Sequence, residues 1–242
     1  MRRVFDKLTL ACCVAAMHGS AFAAQRWYPS LAVSSEYVVR GISQSGGETV
    51  AQGGLSHAAP RGPYAGFWAS TILARRPGDR SAAGMELDLF AGTRRAIGHA
   101  WTLDIGVVRY MYPQDDRQFD YDYTELVATL DYRGRAWLTL TASPDTSLYS
   151  LRGLASDRAA YSVGMAFEQP VTHRFGISAG VGYYDLRELY DTGYGYWNAG
   201  ITWQMGNISV DVTHMRTDST ARALFGDYRA GPHTVLTVSM GL

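Results

Sequence analysis

The residues of this sequence that could do chemistry are mostly carboxylates. They lie in stretches where apolar and polar residues alternate, and they occupy the polar positions, here called the polar phase. Eight acidic side chains share that phase with Arg40 and Arg135. Carboxylates that line an aqueous path attract cations, so such an interior would favour positively charged solutes. The predicted site is therefore a set of pore-lining residues: Glu36, Arg40, Glu86, Asp88, Asp104, Glu125, Asp131, Glu168 and Asp211.

Catalytic and metal chemistry find little support in the same residues. His214 falls on the apolar phase, but the sequence has no Gly-x-Ser-x-Gly elbow and no serine beside it on the neighbouring stretches. The acidic loop at residues 115–122 could gather Ca²⁺, yet it lacks the EF-hand spacing. We therefore predict no enzyme, no metal and no cofactor, and keep an outer-membrane hydrolase as a minor alternative.

Period-two stretches must position these side chains, and they predict an all-β transmembrane barrel of about twelve antiparallel up-and-down strands. The links between them alternate, so that long links gather at one rim and short ones at the other, as in barrels inserted from the periplasm. The long links fall at 42–48, 74–83, 111–120, 143–158, 185–193 and 216–232. The strands are predicted at 30–41, 49–58, 63–73, 84–93, 99–110, 121–132, 134–142, 159–169, 173–184, 194–204, 206–215 and 233–242.

The face that carries the apolar residues separates a membrane barrel from a soluble one. Met85, Leu87 and Leu89 share one face of a predicted strand, whereas Glu86 and Asp88 share the other. A soluble lipocalin-like barrel would need the apolar face inside, but acids inside and apolar residues outside fit a membrane barrel. Aromatic residues near both rims are typical of interfacial girdles: Tyr64, Trp101, Tyr132, Phe175 and Trp203 at the short-turn rim, and Tyr110, Tyr112, Tyr161, Tyr183 and Tyr194 at the long-loop rim.

The N-terminal segment has the features of an export signal. Arg2, Arg3 and Lys7 precede an apolar run, and Ala21-Phe22-Ala23 supplies the small residues of a cleavage site. We predict a signal peptide at residues 1–23 and a single barrel domain at residues 24–242. Removal of the signal takes three of 22 basic and one of 22 acidic residues, leaving 19 against 21 and no charge pattern for nucleic acid.

One segment carries a family resemblance. Ser34-x-Glu36-Tyr37-Val38-x-Arg40-Gly41-Ile42-Ser43-Gln44-Ser45, followed by Gln52-Gly53-Gly54, Tyr64-x-Gly66-x-Trp68 and Glu86-x-Asp88, resembles the TorF porin family of proteobacterial outer-membrane proteins, which are largely uncharacterised. The resemblance implies an outer-membrane barrel strongly and pore activity weakly.

Together these observations predict a Gram-negative outer-membrane protein, exported through the Sec pathway, for passive diffusion of small cationic or polar solutes. Its expected partners are outer-membrane lipid, lipopolysaccharide, the barrel-assembly machinery and the solutes, and not nucleic acid. We expect Arg40 to pair with a carboxylate from another wall and to narrow the path. A lumen plugged by hydrogen bonds and a structural or adhesive barrel remain alternatives.

Overall fold

The computed structural model of this protein describes residues 26–59, 62–73, 83–113 and 120–241. Twelve antiparallel strands close into one barrel, and two short strands form a separate sheet, β2 (Val38–Val39) with β3 (Ile42–Ser43). The barrel strands are β1 (Arg26–Ser34), β4 (Val50–Ala58), β5 (Pro63–Leu73), β6 (Ala83–Ile97), β7 (Trp101–Met111), β8 (Tyr123–Tyr132), β9 (Ala136–Ser150), β10 (Gly153–Pro170), β11 (Phe175–Leu186), β12 (Thr192–Met205), β13 (Ile208–Thr217) and β14 (His233–Gly241).

The barrel closes by pairing its first and last strands. β1 pairs with β4 on one side and with β14 on the other, so that Val33 lies opposite both Ala51 and Val238. The remaining strands pair with their neighbours in the chain. The predicted closed, twelve-stranded antiparallel barrel is therefore confirmed, whereas the predicted signal peptide lies outside the described residues.

Two predicted boundaries are wrong for physical reasons. The first strand ends at Ser34 rather than at residue 41, because the chain turns into the barrel and the alternation continues through a packed hairpin. The predicted loop at 143–158 is mostly strand, since β9 and β10 continue to Ser150 and from Gly153. This segment loses the strict apolar alternation, which predicted a loop, although Thr146 and Tyr149 favour strands.

The outer wall is apolar along its whole circumference. Leu31, Leu126 and Ile201 are 52%, 56% and 59% exposed, and each is flanked by inward-facing neighbours. A soluble protein rarely exposes a continuous apolar band of this extent, whereas hydrocarbon covers it in a membrane. No helix among the described residues is long and apolar enough to cross a membrane.

Tyrosines line the inside of the barrel as well as its rims. Trp101, Tyr132, Phe175 and Trp203 are exposed on the outer wall at the short-turn rim, as the girdle predicts. Tyr64, Tyr110, Tyr112 and Tyr194 are instead buried in the interior, which corrects their placement in the girdles. Tyr110 shares the inward phase of Asp104 and Gly106, so the alternation itself places it inside, and tyrosine suits either position.

Short helices cover the long-loop rim. They are α1 (Arg187–Tyr190), α2 (Ser219–Phe225) and α3 (Asp227–Ala230). Asp218 is the N-cap of α2, and its carboxylate accepts hydrogen bonds from the backbone N–H groups of Ala221 and Gly195 at 3.0 and 2.7 Å. The cap therefore ties the link between β13 and β14 to β12.

Candidate functional site: the lumen and its inward hairpin

Residues 35–49, here called the lumen hairpin, fold into the barrel between β1 and β4. β2 and β3 are joined by Arg40 and Gly41, whose φ angles are +49° and +78°. Positive φ at both central residues is what a tight two-residue hairpin turn requires. Gly41 has no room for a side chain, because a Cβ there would lie 2.4 Å from Thr217 Cγ2 and 3.3 Å from Tyr196 Cβ. The hairpin tip therefore packs against the wall of β12 and β13.

From this tip, the side chain of Arg40 reaches the wall of β8 and β9. Its Nη2 lies 2.5 Å from a carboxylate oxygen of Glu125 and 3.1 Å from Thr141 Oγ1. Its guanidinium lies 4.4 Å from the ring centroid of Tyr184 on β11. Both Arg40 and Glu125 are buried. Arg40 thus forms a strut across the lumen, paired with a carboxylate from another wall as expected.

The base of the lumen hairpin is held by hydrogen bonds to three barrel strands. The Tyr37 hydroxyl donates to Glu86 Oε1 on β6 at 2.7 Å, and Glu36 Oε2 lies 3.0 Å from His233 Nδ1 on β14. The Leu73 backbone N–H on β5 donates to the carbonyl of Gln44. Two of the predicted carboxylates, Glu36 and Glu86, therefore hold the hairpin in place.

α2 and α3, together called the helical cap, contact the hairpin from the loop side. The Arg229 side chain donates to the carbonyl of Ser43 at 3.0 Å, and the Tyr228 hydroxyl donates to the carbonyl of Gly46. Leu224 of α2 and Ile42 of the hairpin belong to one buried apolar cluster with Tyr194. The half of the lumen next to the long loops is here called the loop half, and the half next to the short turns is called the turn half. The loop half is therefore filled by the hairpin, the helical cap and the surrounding aromatic rings.

A second arginine, which sequence reasoning missed, lies in the lumen. Arg94 on β6 donates through Nε and Nη2 to Asp104 Oδ2 at 2.9 and 2.7 Å, and the Tyr64 hydroxyl donates to Asp104 Oδ1 at 2.6 Å. The predicted strands at 84–93 and 99–110 leave residues 94–98 as a short link, whereas β6 continues through residue 94 to Ile97. Arg135, assigned to the lumen, is instead exposed in the turn after β8.

The remaining predicted carboxylates lie at several heights of the inner wall. Asp88 on β6, Glu168 on β10 and Asp211 on β13 are buried, and hydroxyls of Thr202 and Ser209 donate to Asp211. Asp131 is half-buried at the turn end of β8 and accepts from the Gly134 backbone N–H at 2.7 Å.

The turn half of the lumen differs from the loop half in its packing. Some small inward residues there keep part of their surface exposed, namely Thr129, Thr139, Ser178, Gly180 and Gly200, whereas Ser56, Thr202 and Ser209 of the same half are buried. Residues at the strut, such as Glu125, Ser143 and Tyr184, are buried. Part of the wall of the turn half therefore borders space that side chains do not fill.

The hydrolase alternative gains no catalytic arrangement from the geometry. His214 lies on the outer face of β13, where Nδ1 is 2.9 Å from Thr234 Oγ1 and the ring is 5.8 Å from that of Trp197. A hydroxyl partner is present, but it is threonine, and the carbonyl-activating part of a hydrolase site has no counterpart in these contacts.

Comparisons with known proteins agree with the architecture. The sequence model of a family described as "Bacterial protein of unknown function (Gcw_chp)" matches residues 22–239, and no curated protein matches the chain. The barrel is similar to the KdgM porin solved in complex with disordered oligogalacturonate, with a TM-score of 0.52 and 9% identity over 88% of this chain and 97% of that one. It is similar to the NanC porin, with a TM-score of 0.53 and 7% identity over 87% and 97%. The fold is that of outer-membrane porins; the TorF family itself is not what matches.

Proposed function

The chain belongs to the Gcw_chp family of bacterial proteins of unknown function, and we propose that it is an outer-membrane channel for small polar or cationic solutes. One observation carries this proposal: a closed barrel with an apolar outer wall encloses a polar inner wall that keeps exposed surface in its turn half. A barrel built only as a membrane anchor has no need of that inner space. The resemblance of residues 34–45 to the TorF porins points in the same direction.

The lumen hairpin forms the narrow part of the proposed path. Arg40 spans from the β12 and β13 wall to Glu125, and the cap of α2 and α3 rests on the same hairpin. Side chains fill the loop half around this strut, so a solute passes only when the lumen hairpin or the helices above it shift. The proposed path therefore combines partly open space on the turn side with a constriction on the loop side.

The charges of the inner wall support a preference for cations. Glu125, Asp104 and Glu36 are paired with Arg40, Arg94 and His233. Glu86 and Asp211 accept hydrogen bonds from the hydroxyls of Tyr37 and Thr202. With Asp88 and Glu168 on the same wall, acidic side chains outnumber basic ones among the described residues of the interior, and we infer a cation preference from this excess.

The same architecture supports a proposed location and proposed partners. An outward apolar band needs a bilayer, and a bacterial barrel of this type resides in the outer membrane beside lipopolysaccharide. We propose Sec-dependent export and insertion by the barrel-assembly machinery. A closed structural barrel is the second candidate, favoured by the buried Arg40–Glu125 pair and by the aromatic packing around it.

Planar-bilayer recording of the purified mature chain tests the proposal. In a KCl gradient we expect discrete channels with a cation-selective reversal potential. Glu168→Gln combined with Asp211→Asn should reduce that selectivity, because it removes two lumen carboxylates. Asp191→Asn is the matched control, since Asp191 is exposed in the loop after α1 and its left-handed φ of +59° suits asparagine.

Three outcomes separate the candidates. Cation-selective channels that lose selectivity in the double variant and keep it in the control support the proposal. Anion-selective channels would overturn the cation preference. A folded barrel that opens no channels would leave the closed structural barrel as the function.

A further inference from the structure

The barrel already holds two cations on tyrosine faces inside its lumen. The guanidinium carbon of Arg40 lies 4.4 Å from the ring centroid of Tyr184, and that of Arg94 lies 5.9 Å from the ring centroid of Tyr64. An aromatic face attracts a cation at these distances through its quadrupole. The lumen tyrosines therefore form surfaces suited to positive charge.

Tyr196 presents a further tyrosine face on the same wall. Its ring lies flat against β11, because a Cβ at Gly182 would be 2.3 Å from Tyr196 Cζ, and its hydroxyl reaches toward Gly164 on β10. The two glycines make room for this orientation. Tyr196 is half-buried, so part of it borders the lumen.

Asn198 is the next inward residue of β12 on the turn side of Tyr196. It is 8% exposed, and its Oδ1 has no hydrogen-bond partner among the described residues. Its neighbours in the ladder are Gly180 on β11 and Met215 on β13, whose side chains cannot donate a hydrogen bond. A buried acceptor needs a donor, and the lumen is the side from which a mobile one can come.

Carboxylates lie on the turn side of this pair. Glu168 is opposite Ser178, which is opposite Gly200, the residue two positions beyond Asn198. One such step along a strand is about 7 Å, so Glu168 belongs to the next inward row of side chains. Asp211 lies one row further toward the turns, opposite Thr202. Asn198 and Tyr196 thus lie on the loop side of two acidic residues.

We propose that Tyr196 and Asn198 form a lumen subsite for a small organic ammonium ion, with Glu168 and Asp211 adding long-range attraction. Asn198 Oδ1 would accept a hydrogen bond from the ammonium N–H, and the Tyr196 face would contact the charge or its adjacent methylenes. A neutral alcohol could satisfy the acceptor alone. The ring face and the carboxylates favour the cation. The inference rests on the proposed channel function and names the class of solute.

Calorimetric titration of the mature barrel in a non-ionic detergent tests this subsite without requiring conduction. The probes are 1,4-diaminobutane and 1,4-butanediol, which have the same chain length and differ in charge. We expect the diamine to bind and the diol not to bind. Asn198→Leu should weaken diamine binding by roughly three- to tenfold, the loss expected for one hydrogen bond.

Asn207→Leu is the control, because Asn207 is exposed in the turn before β13, where its amide donates to the Gly241 carbonyl. Its binding should stay within about twofold of the unmodified barrel, an effect smaller than one hydrogen bond. Asn198→Ala repeats the test if leucine prevents folding. Absence of diamine binding, equal binding of the diol, or equal effects at both asparagines would overturn the subsite. A barrel that conducts ions without binding diamine contradicts the subsite alone, whereas one that binds without conducting contradicts the channel alone.

Discussion

At the scale of single residues, Leu89 and Glu86 on β6 show how the phase of a strand decides the environment of a side chain. Leu89 is 48% exposed on the outer wall, whereas Glu86 is buried and accepts from Tyr37. Leu89→Arg should therefore destabilise the inserted barrel by about 2–4 kcal/mol, since it places a charge in hydrocarbon. Urea unfolding in lipid vesicles measures the change.

Glu86→Gln is the control, because glutamine can still accept from the Tyr37 hydroxyl. It should alter the free energy of unfolding far less than Leu89→Arg. Equal effects of the two substitutions would contradict the assignment of inner and outer faces.

The sequence predicts which face of a strand a side chain occupies better than it predicts which residues that side chain contacts. Glu86, Asp88, Asp104, Glu125, Glu168 and Asp211 all lie on inner faces as the alternation predicts. The pairing of Asp104 with Arg94 was missed, because the end of β6 was placed too early. The interior positions of Tyr110 and Tyr194 were missed too, because the girdle interpretation used their nearness to the rim rather than their inward phase.

At the scale of elements, the lumen hairpin depends on the glycine at its tip. Gly41 has a φ of +78° and no room for a Cβ, whereas Gly47, at the base of the same hairpin, has a φ of +82° and open space around it. Gly41→Ala should therefore loosen the hairpin by about 1–3 kcal/mol more than Gly47→Ala, because only the former adds a steric clash to the backbone strain.

Amide hydrogen exchange of residues 38–43 reports on this difference. We expect faster exchange in Gly41→Ala than in Gly47→Ala. The same exchange rates in both variants would show that the contact with Thr217 and Tyr196 does not hold the tip.

The hairpin could not be predicted from periodicity, for a physical reason. Residues 36–42 alternate like a strand, since Val38 and Arg40 pack into the interior in turn with half-buried neighbours. Alternation reports two environments and does not distinguish a wall strand from a hairpin inside the wall. The pair Arg40-Gly41, with positive φ at both residues, is the feature that sets the hairpin apart.

At the scale of the whole molecule, the rim at which a link lies indicates the side of the membrane on which it is exposed. Ser156, in β10 beyond the outer apolar band, and Thr220, in α2, lie at the loop end, whereas Arg133 lies in the exposed turn after β8. Because barrels of this type insert from the periplasm, epitope tags at Ser156 and Thr220 should be reached by antibody on intact cells, and a tag at Arg133 should not.

Antibody binding after permeabilisation is the control for tag display at Arg133. Labelling of Arg133 on intact cells, with protection of Ser156, would reverse the topology.

The closed barrel itself was predictable from the sequence, because the number of strands, the sorting of long and short links to opposite rims and the polarity of the strand faces all indicate one architecture. The filling of its loop half was not, since it depends on contacts of Arg40 with strands more than eighty residues away.

The most direct test of the account compares the single-channel conductance of the unmodified barrel with that of Arg40→Ala. Arg187→Ala serves as the control, because Arg187 is 74% exposed at the loop rim. We expect cation-selective channels in all three proteins. Arg40→Ala should have larger conductance and stronger cation selectivity, because it removes the strut and the positive charge that pairs with Glu125. The absence of channel openings for all three proteins in bilayers would contradict a channel narrowed by the lumen hairpin. The same conductance for Arg40→Ala as for the unmodified barrel would contradict it too.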